Sequence, residues 1–259
     1  MLTKILYGGK SDVGYQREIN EDYVGAAELG DDAVLAIIAD GSGSKASSLQ
    51  PASIAAREVT DAVKRIYEKD GPEFLFENAE PVLRESMHFA GRVLGAFKAG
   101  NDELYSGFFS SMSCVLLQNE GGIALAHAGN TRIYIVRSGS IRQLTKDHTQ
   151  AEKLMDDGAI SELDYYSHPG NIVMTSGLGV LTDPVIQTYA GRIKSGDMIL
   201  MTTDGIHYAV RPEPMVDIIM AAGNCDDAAQ SLIQAGVSQK RPDNMAAMLL
   251  VYDIGGARK

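Results

Sequence analysis

The sequence predicts an α+β fold in which sheets are covered by helices. Strand-like runs begin near Tyr23 and at Leu35, return after Ser110, and are separated by Gly-containing turns as in an antiparallel meander. Between them the hydrophobic period becomes that of a helix, with the helices grouped into blocks. The chain has 259 residues, 45% of them hydrophobic, enough for one substantial core. It carries no internal repeat, low-complexity tract or Pro/Gly-rich linker, so residues 1–259 read as one domain.

Each element has its own signal. Leu35, Ala36, Ile37, Ile38 and Ala39 are apolar in succession, the pattern of a strand buried on both faces, and they deliver Asp40 into a turn. Gly41 and Gly43 leave that turn free for positive φ or close backbone approach. Residues 50–69 place Ile54, Val59, Val63 and Ile66 at helical spacing, and Gly71-Pro72 is expected to end that helix. Residues 74–98 read as one or two helices, with a break near Pro81 and an apolar stripe assigned to core packing. Four short strand-like runs follow from Ser110. The remaining expectations are a helical stretch at 150–157, strands near Val173 and at 185–193 and 198–203, helices at 214–222 and 226–235, and a last strand at 245–253.

A single Asp-Gly turn is ordinary. Here the design recurs. The run MILMTTDG ends with Asp204 at its tip, RPDNMAAMLLVY sets Asp243 just before a strand, and REINED gathers Arg17, Glu21 and Asp22 ahead of the strand at Tyr23. Carboxylates brought together repel unless a divalent cation neutralises them, and an all-oxygen set suits Mg²⁺ or Mn²⁺ better than Zn²⁺.

In order along the chain stand SDVGYQREINED, ADGSGS, SSMSCVLL, GNTRIY, LTKDHT, MTSGLG, TTDG and RPDN. With these motifs the chain, from Ser11 to Asp253, resembles the type-2C metal-dependent serine/threonine protein phosphatases, as a bacterial-type single-domain member. The resemblance implies a four-layer α-β-β-α sandwich, two packed antiparallel sheets flanked by helices. It implies hydrolysis of phosphoserine or phosphothreonine by a water bridging two Mn²⁺ or Mg²⁺ ions. By the same resemblance Asp40 bridges the ions, Asp204 and Asp243 complete the first site, and Glu21 with the Gly41 carbonyl serves the second. Asp22 falls on an acid behind these ligands, and Arg17 on the residue that holds the substrate phosphate. Phosphorylated proteins, products of a serine/threonine kinase, are the implied substrates, and the segment 147–171 is implied to govern the choice among them.

Three positions depart from the family pattern. Ser42 stands where some members carry a histidine as general acid, and Ser44 replaces the second Gly of the DGxGG form. Asn130 replaces the Asp of GDxR, a residue associated with a third ion. The expectation is a third site that is empty or weak; the alternative is that Asn130 only braces the Gly129 turn.

The formal net charge of −11 excludes the basic footprint that nucleic acid or an anionic membrane requires. No apolar run approaches the roughly 20 residues of a membrane span, and the N-terminal stretch turns polar too soon for a signal peptide, so a soluble cytoplasmic protein is expected. Cys114 and Cys225 form no CxxC and read as idle thiols in a reducing compartment. His88, His127 and His168 read as packed or solvated, His148 as a structural hydrogen-bonder, and His207 as bordering the site without a catalytic role. P-loop, GxGxxG, HExxH and GxSxG motifs are absent. Two rival functions stay open: a catalytically weak phosphoprotein-binding module of the same fold, and a metallophosphoesterase acting on small molecules. For Arg17 alone the rival is a surface salt bridge with Glu18 or Glu21.

Overall fold

The computed structural model describes residues 3–43, 49–100, 105 and 107–254. Ser44 therefore lies outside the described residues. Strands β1 (Thr3–Asp12), β2 (Asp22–Leu29), β3 (Ala33–Ser42), β4 (Phe109–Gln118), β5 (Gly122–Ala128), β6 (Arg132–Arg137), β7 (Ser140–Gln143), β8 (Gln187–Arg192), β9 (Met198–Thr202) and β10 (Met245–Ile254) form two sheets. One has the order β1-β10-β9-β6-β7 and the other β2-β3-β4-β5-β8, with every neighbouring pair antiparallel.

The unbroken apolar run of β3 follows from this layering. Val34, Ala36 and Ile38 point inward and meet Ile133, Ile199, Met201 and Leu250 of the facing sheet. Leu35, Ile37 and Ala39 point the other way, into a core closed by α1 (Pro51–Glu77) and α2 (Ala79–Gly100). A strand with an apolar layer on each side has no reason to alternate. The other sheet is covered by α6 (Pro212–Ala221) and α7 (Cys225–Ser238), which pack Met215, Ile219, Ala229 and Leu232 on Leu200, Leu249 and Val251. The result is the expected four-layer α-β-β-α sandwich.

Several boundaries differ from expectation. Gly71-Pro72 kinks α1 instead of ending it: Gly71 takes φ 87°, which only glycine adopts freely, and the helix resumes to Glu77. The break between the two long helices falls at Asn78, leaving Pro81 in the first turn of α2, where a missing N–H costs nothing. Near Val173 there is no strand. That segment is a 3₁₀ turn, Pro169–Ile172, followed by an isolated bridge from Met174 to Thr149. Asp40 sits within a strand rather than a turn, since β3 pairs with β4 as far as Ser42. Three short helices, α3 (Gln150–Asp156), α4 (Glu162–Tyr165) and α5 (Asp204–His207), complete the described elements, and α3 and α4 are capped by the Thr149 and Ser161 side chains. Cys114 and Cys225 are buried and unbridged, as expected, and burial pushes their thiols up to about 12 and about 11.

Candidate active site

The carboxylates meet because both sheets end at the same edge. Asp22 and Asp40 lie directly across the β2–β3 ladder. Asp204 follows β9, and Asp243 precedes β10, which is hydrogen-bonded to β9. A cleft of about 210 Å³ is lined by Glu21, Asp40, Gly41, Asp204 and Asp243, with Arg17 and Asn130. All the predicted site residues except Asp22 thus face one cavity, and Asp22 is buried behind Asp40.

Backbone packing fixes these side chains. Gly41 has an ordinary φ, so its role is close approach: a Cβ there would stand 2.9 Å from the Glu21 carbonyl and 3.1 Å from the Ala52 nitrogen. The Gly41 N–H donates to that Glu21 carbonyl at 3.2 Å, which ties the two residues expected to share an ion. The Thr203 hydroxyl donates to Asp22 Oδ2 at 2.7 Å. Asn244 binds the N-terminal loop to the start of β10. It accepts from the Glu21 N–H at 3.0 Å and donates to the carbonyls of Val13 and Ile19, both at 2.9 Å.

Electrostatics mark the cluster as short of positive charge. Burial, then the carboxylates of Asp204, Asp22 and Asp243, push Asp40 well above the usual carboxylate range. Burial also raises Asp22, and with repulsion from Asp243 it raises Asp204 to about 6. Arg17 offsets part of this. Its Nη2 donates to Asp243 Oδ1 at 2.8 Å and its Nε to the Pro242 carbonyl at 3.1 Å, so the pairing with Glu18 or Glu21 is not the one formed. Among the described residues no three acidic, imidazole or thiol side chains already converge as a closed metal cage. Arg17 draws Asp243 aside and Asn130 holds Asp204. The donor set still fits a hard divalent cation, being all oxygen and strained by its own repulsion.

Asn130 makes a contact that neither expectation named. Its Nδ2 donates to Asp204 Oδ2 at 3.1 Å, so the amide offers the cluster a donor. The turn at Gly129 is braced instead by Ser111 Oγ, which accepts the N–H groups of Asn130 and Thr131, and by His148 Nδ1, which accepts that of Gly129. His127 is packed and His148 hydrogen-bonds the backbone, as expected. His127 donates from Nε2 to the Lys146 carbonyl and accepts from Ser113, and burial with nearby His148 pushes it down to about 3. His207 is fully buried against Thr202, lined up behind Asp204 rather than in the cleft.

Behind the cluster lies a second set of charges that sequence reasoning did not single out. Arg132 and Asp147, both buried, form a forked pair with contacts of 2.9 and 2.8 Å. Tyr165 donates to Asp147 Oδ2 at 2.6 Å and Tyr208 to the same oxygen at 3.3 Å. Both rings also lie under the Arg132 guanidinium. This network ties the segment 147–171 to the residue that follows α5. Asn244, Thr203 and the cleft residues Phe109, Ile172 and Met174 were also missed, although Asn244 ends RPDN, Thr203 lies in TTDG and Met174 opens MTSGLG.

Residues 15–240 match the family model described as Protein phosphatase 2C. The chain belongs to the protein phosphatase 2C family. It is 24% identical over 245 residues to the serine/threonine phosphatase stp of Listeria monocytogenes, covering 95% of each chain. Its fold superposes on the serine/threonine phosphatase of S. agalactiae with a TM-score of 0.83 at 22% identity, over 96% of this chain and 99% of that one. The catalytic domain of the serine threonine protein phosphatase PstP, solved in complex with two manganese ions, gives 0.77 at 22% identity, over 98% and 100%.

Proposed function

We propose that this cleft hydrolyses phosphoserine and phosphothreonine in proteins, with two Mn²⁺ or Mg²⁺ ions held by Asp40, Asp204, Asp243, Glu21 and the Gly41 carbonyl. The observation that carries the reading is the convergence of these oxygens from both sheets on one cleft, with a guanidinium at its rim. Family membership and relatives named as serine/threonine phosphatases support it. When bound, the ions supply an acidified water and neutralise phosphoryl charge.

The chain's own residues position the rest. Arg17, its side chain 42% exposed, presents a planar fork suited to a phosphate arriving from solvent, a task lysine performs less well. Thr203 fixes Asp22, which lies directly across the ladder from Asp40. Ser42 on the cleft wall offers no group that titrates near neutrality, so water protonates the leaving oxygen. Asn130 lacks the charge to hold a third, mostly hydrated ion, and that site is weak or empty. The segment 147–171 selects among protein substrates. A cytoplasmic place opposite a serine/threonine kinase suits two buried unbridged thiols and, among the described residues, no helix long and apolar enough to cross a membrane.

Turnover of a phosphothreonine peptide, a phosphotyrosine peptide and a nucleotide, each with Mn²⁺ or excess chelator, tests the proposal. Phosphothreonine should be preferred and chelator should abolish activity. Full activity in chelator would sink the metal mechanism. Tight peptide binding without turnover would leave a binding module, and preference for the nucleotide a small-molecule esterase.

A further inference from the structure

The cleft has two unlike sets of lining residues. It combines the acids Glu21, Asp40, Asp204 and Asp243 and the amides of Asn130 and Asn244 with an apolar set, Phe109, Ile172 and Met174, called its flank. Ile172 is 70% exposed and lines the cleft, so its apolar surface is available to a ligand bound there. The exposure is held firmly. The Gln150 N–H donates to the Val173 carbonyl at 2.9 Å and the Thr175 N–H to that of His148 at 2.8 Å. His168 caps the preceding turn by accepting from the Gly170 N–H at 3.0 Å, and Asn171 is anchored to the Tyr165 carbonyl. Val173 is extended (φ −93°, ψ 97°), and an extended residue sends its two neighbours to the same side. Ile172 and Met174 therefore face the cleft together on a backbone that need not reorganise to bind.

We propose that Phe109, Ile172 and Met174 form a subsite for a large apolar side chain within two positions of the phosphorylated residue of an extended protein substrate. The inference rests on the phosphatase function proposed above. Continuity with the phosphate site selects this occupant, because one ligand must carry phosphate at the acidic set and apolar surface at the flank. Two extended residues span about 7 Å, so a neighbour of the phosphoresidue reaches a wall of the same cleft. Charge cannot select on that flank, which leaves apolar contact.

The test uses phosphothreonine peptides with Gly and Ser flanks, in which Leu replaces each of the two residues on either side in turn. With Mn²⁺ present, kcat/KM should rise about tenfold for Leu at one position. In an Ile172→Asn, Met174→Gln double variant the advantage should shrink to within about twofold. Ile172→Glu should move the preference at that position from Leu to Lys, a switch that loosened folding would not produce. No preference at any position, or one that survives both variants, overturns the subsite while leaving the phosphatase intact. Absence of turnover on every peptide, with circular dichroism unchanged, refutes the phosphatase reading itself.

Discussion

Two groups of buried charge lie back to back beyond the end of β9, and they are balanced in opposite ways. Arg132 and Asp147 neutralise each other through a forked pair, with two tyrosines donating to the carboxylate. On the cleft side burial, with repulsion from neighbouring carboxylates, raises Asp22, Asp40 and Asp204, and the one carboxylate Arg17 hydrogen-bonds is Asp243. The fold evidently can compensate a buried carboxylate with its own residues, since it does so next door. Carboxylates left short of positive charge are stability held back for a ligand.

The sharpest way to break this contrast is to unbalance the balanced side. Asp147→Asn strands the Arg132 charge in the interior, which costs about 3–5 kcal/mol. A fall in melting temperature on the order of 10 °C should follow, with Mn²⁺ or with chelator alike. A melting temperature within experimental error of the parent would show that the pair is not structural.

Relieving the unbalanced side should do the reverse. Asp40→Asn should abolish turnover and calorimetric Mn²⁺ binding, yet raise the melting temperature of the chelated protein by a few degrees, on the order of 1 kcal/mol of repulsion removed. The pH dependence has a definite sign. Asp204 is raised from 3.8 to about 6 in the fold, so the folded state binds the extra proton and the chelated parent loses stability as pH rises through that window. Asp40→Asn should flatten the slope; a variant that melts lower than the parent at pH 7 would contradict the repulsion argument.

The smallest effect belongs to Asn130. Asn130→Asp replaces a donor to Asp204 with a like charge, and about 1 kcal/mol of stability should be lost in chelator and regained at high Mn²⁺. The Mn²⁺ concentration for half-maximal rate should fall, because a weak ligand is restored. Superimposable titration curves for parent and variant would leave the third-site idea without support.

Asp40 and Asp204 were legible because each follows an apolar run at a glycine-bearing boundary, and Glu21 and Asp243 because each stands in a polar turn just ahead of a strand. The two-faced burial of β3 was legible for a similar reason, its lack of alternation. β1 was not, since Gly8 and Gly9 blur its pattern; a Cβ on Gly8 would stand 2.6 Å from the Asp226 nitrogen, so the glycine records the close packing of α7. Gly71-Pro72 looked like a stop because tertiary contacts that restart a helix leave no local trace. Val173 looked like a strand because its neighbours are apolar, although Ile172 and Met174 line the cleft instead of a sheet. The bond from Asn130 to Asp204 joins residues 74 positions apart, and nothing at either end announces it.

Asn244 carries one further consequence, for the order in which the protein comes into being. By holding Val13, Ile19 and Glu21 it joins the loop after β1 to the start of β10, which pairs with β1. Synthesis proceeds at about 5–20 residues per second, and the earlier carboxylates on β2 and β3 emerge many seconds before Asp243. A nascent chain whose β10 is still in the exit tunnel can pair β2 with β3 but cannot gather the full set of oxygens. The proposed metal site can therefore be completed only once β10 has emerged, and a chain made short of that point lacks it.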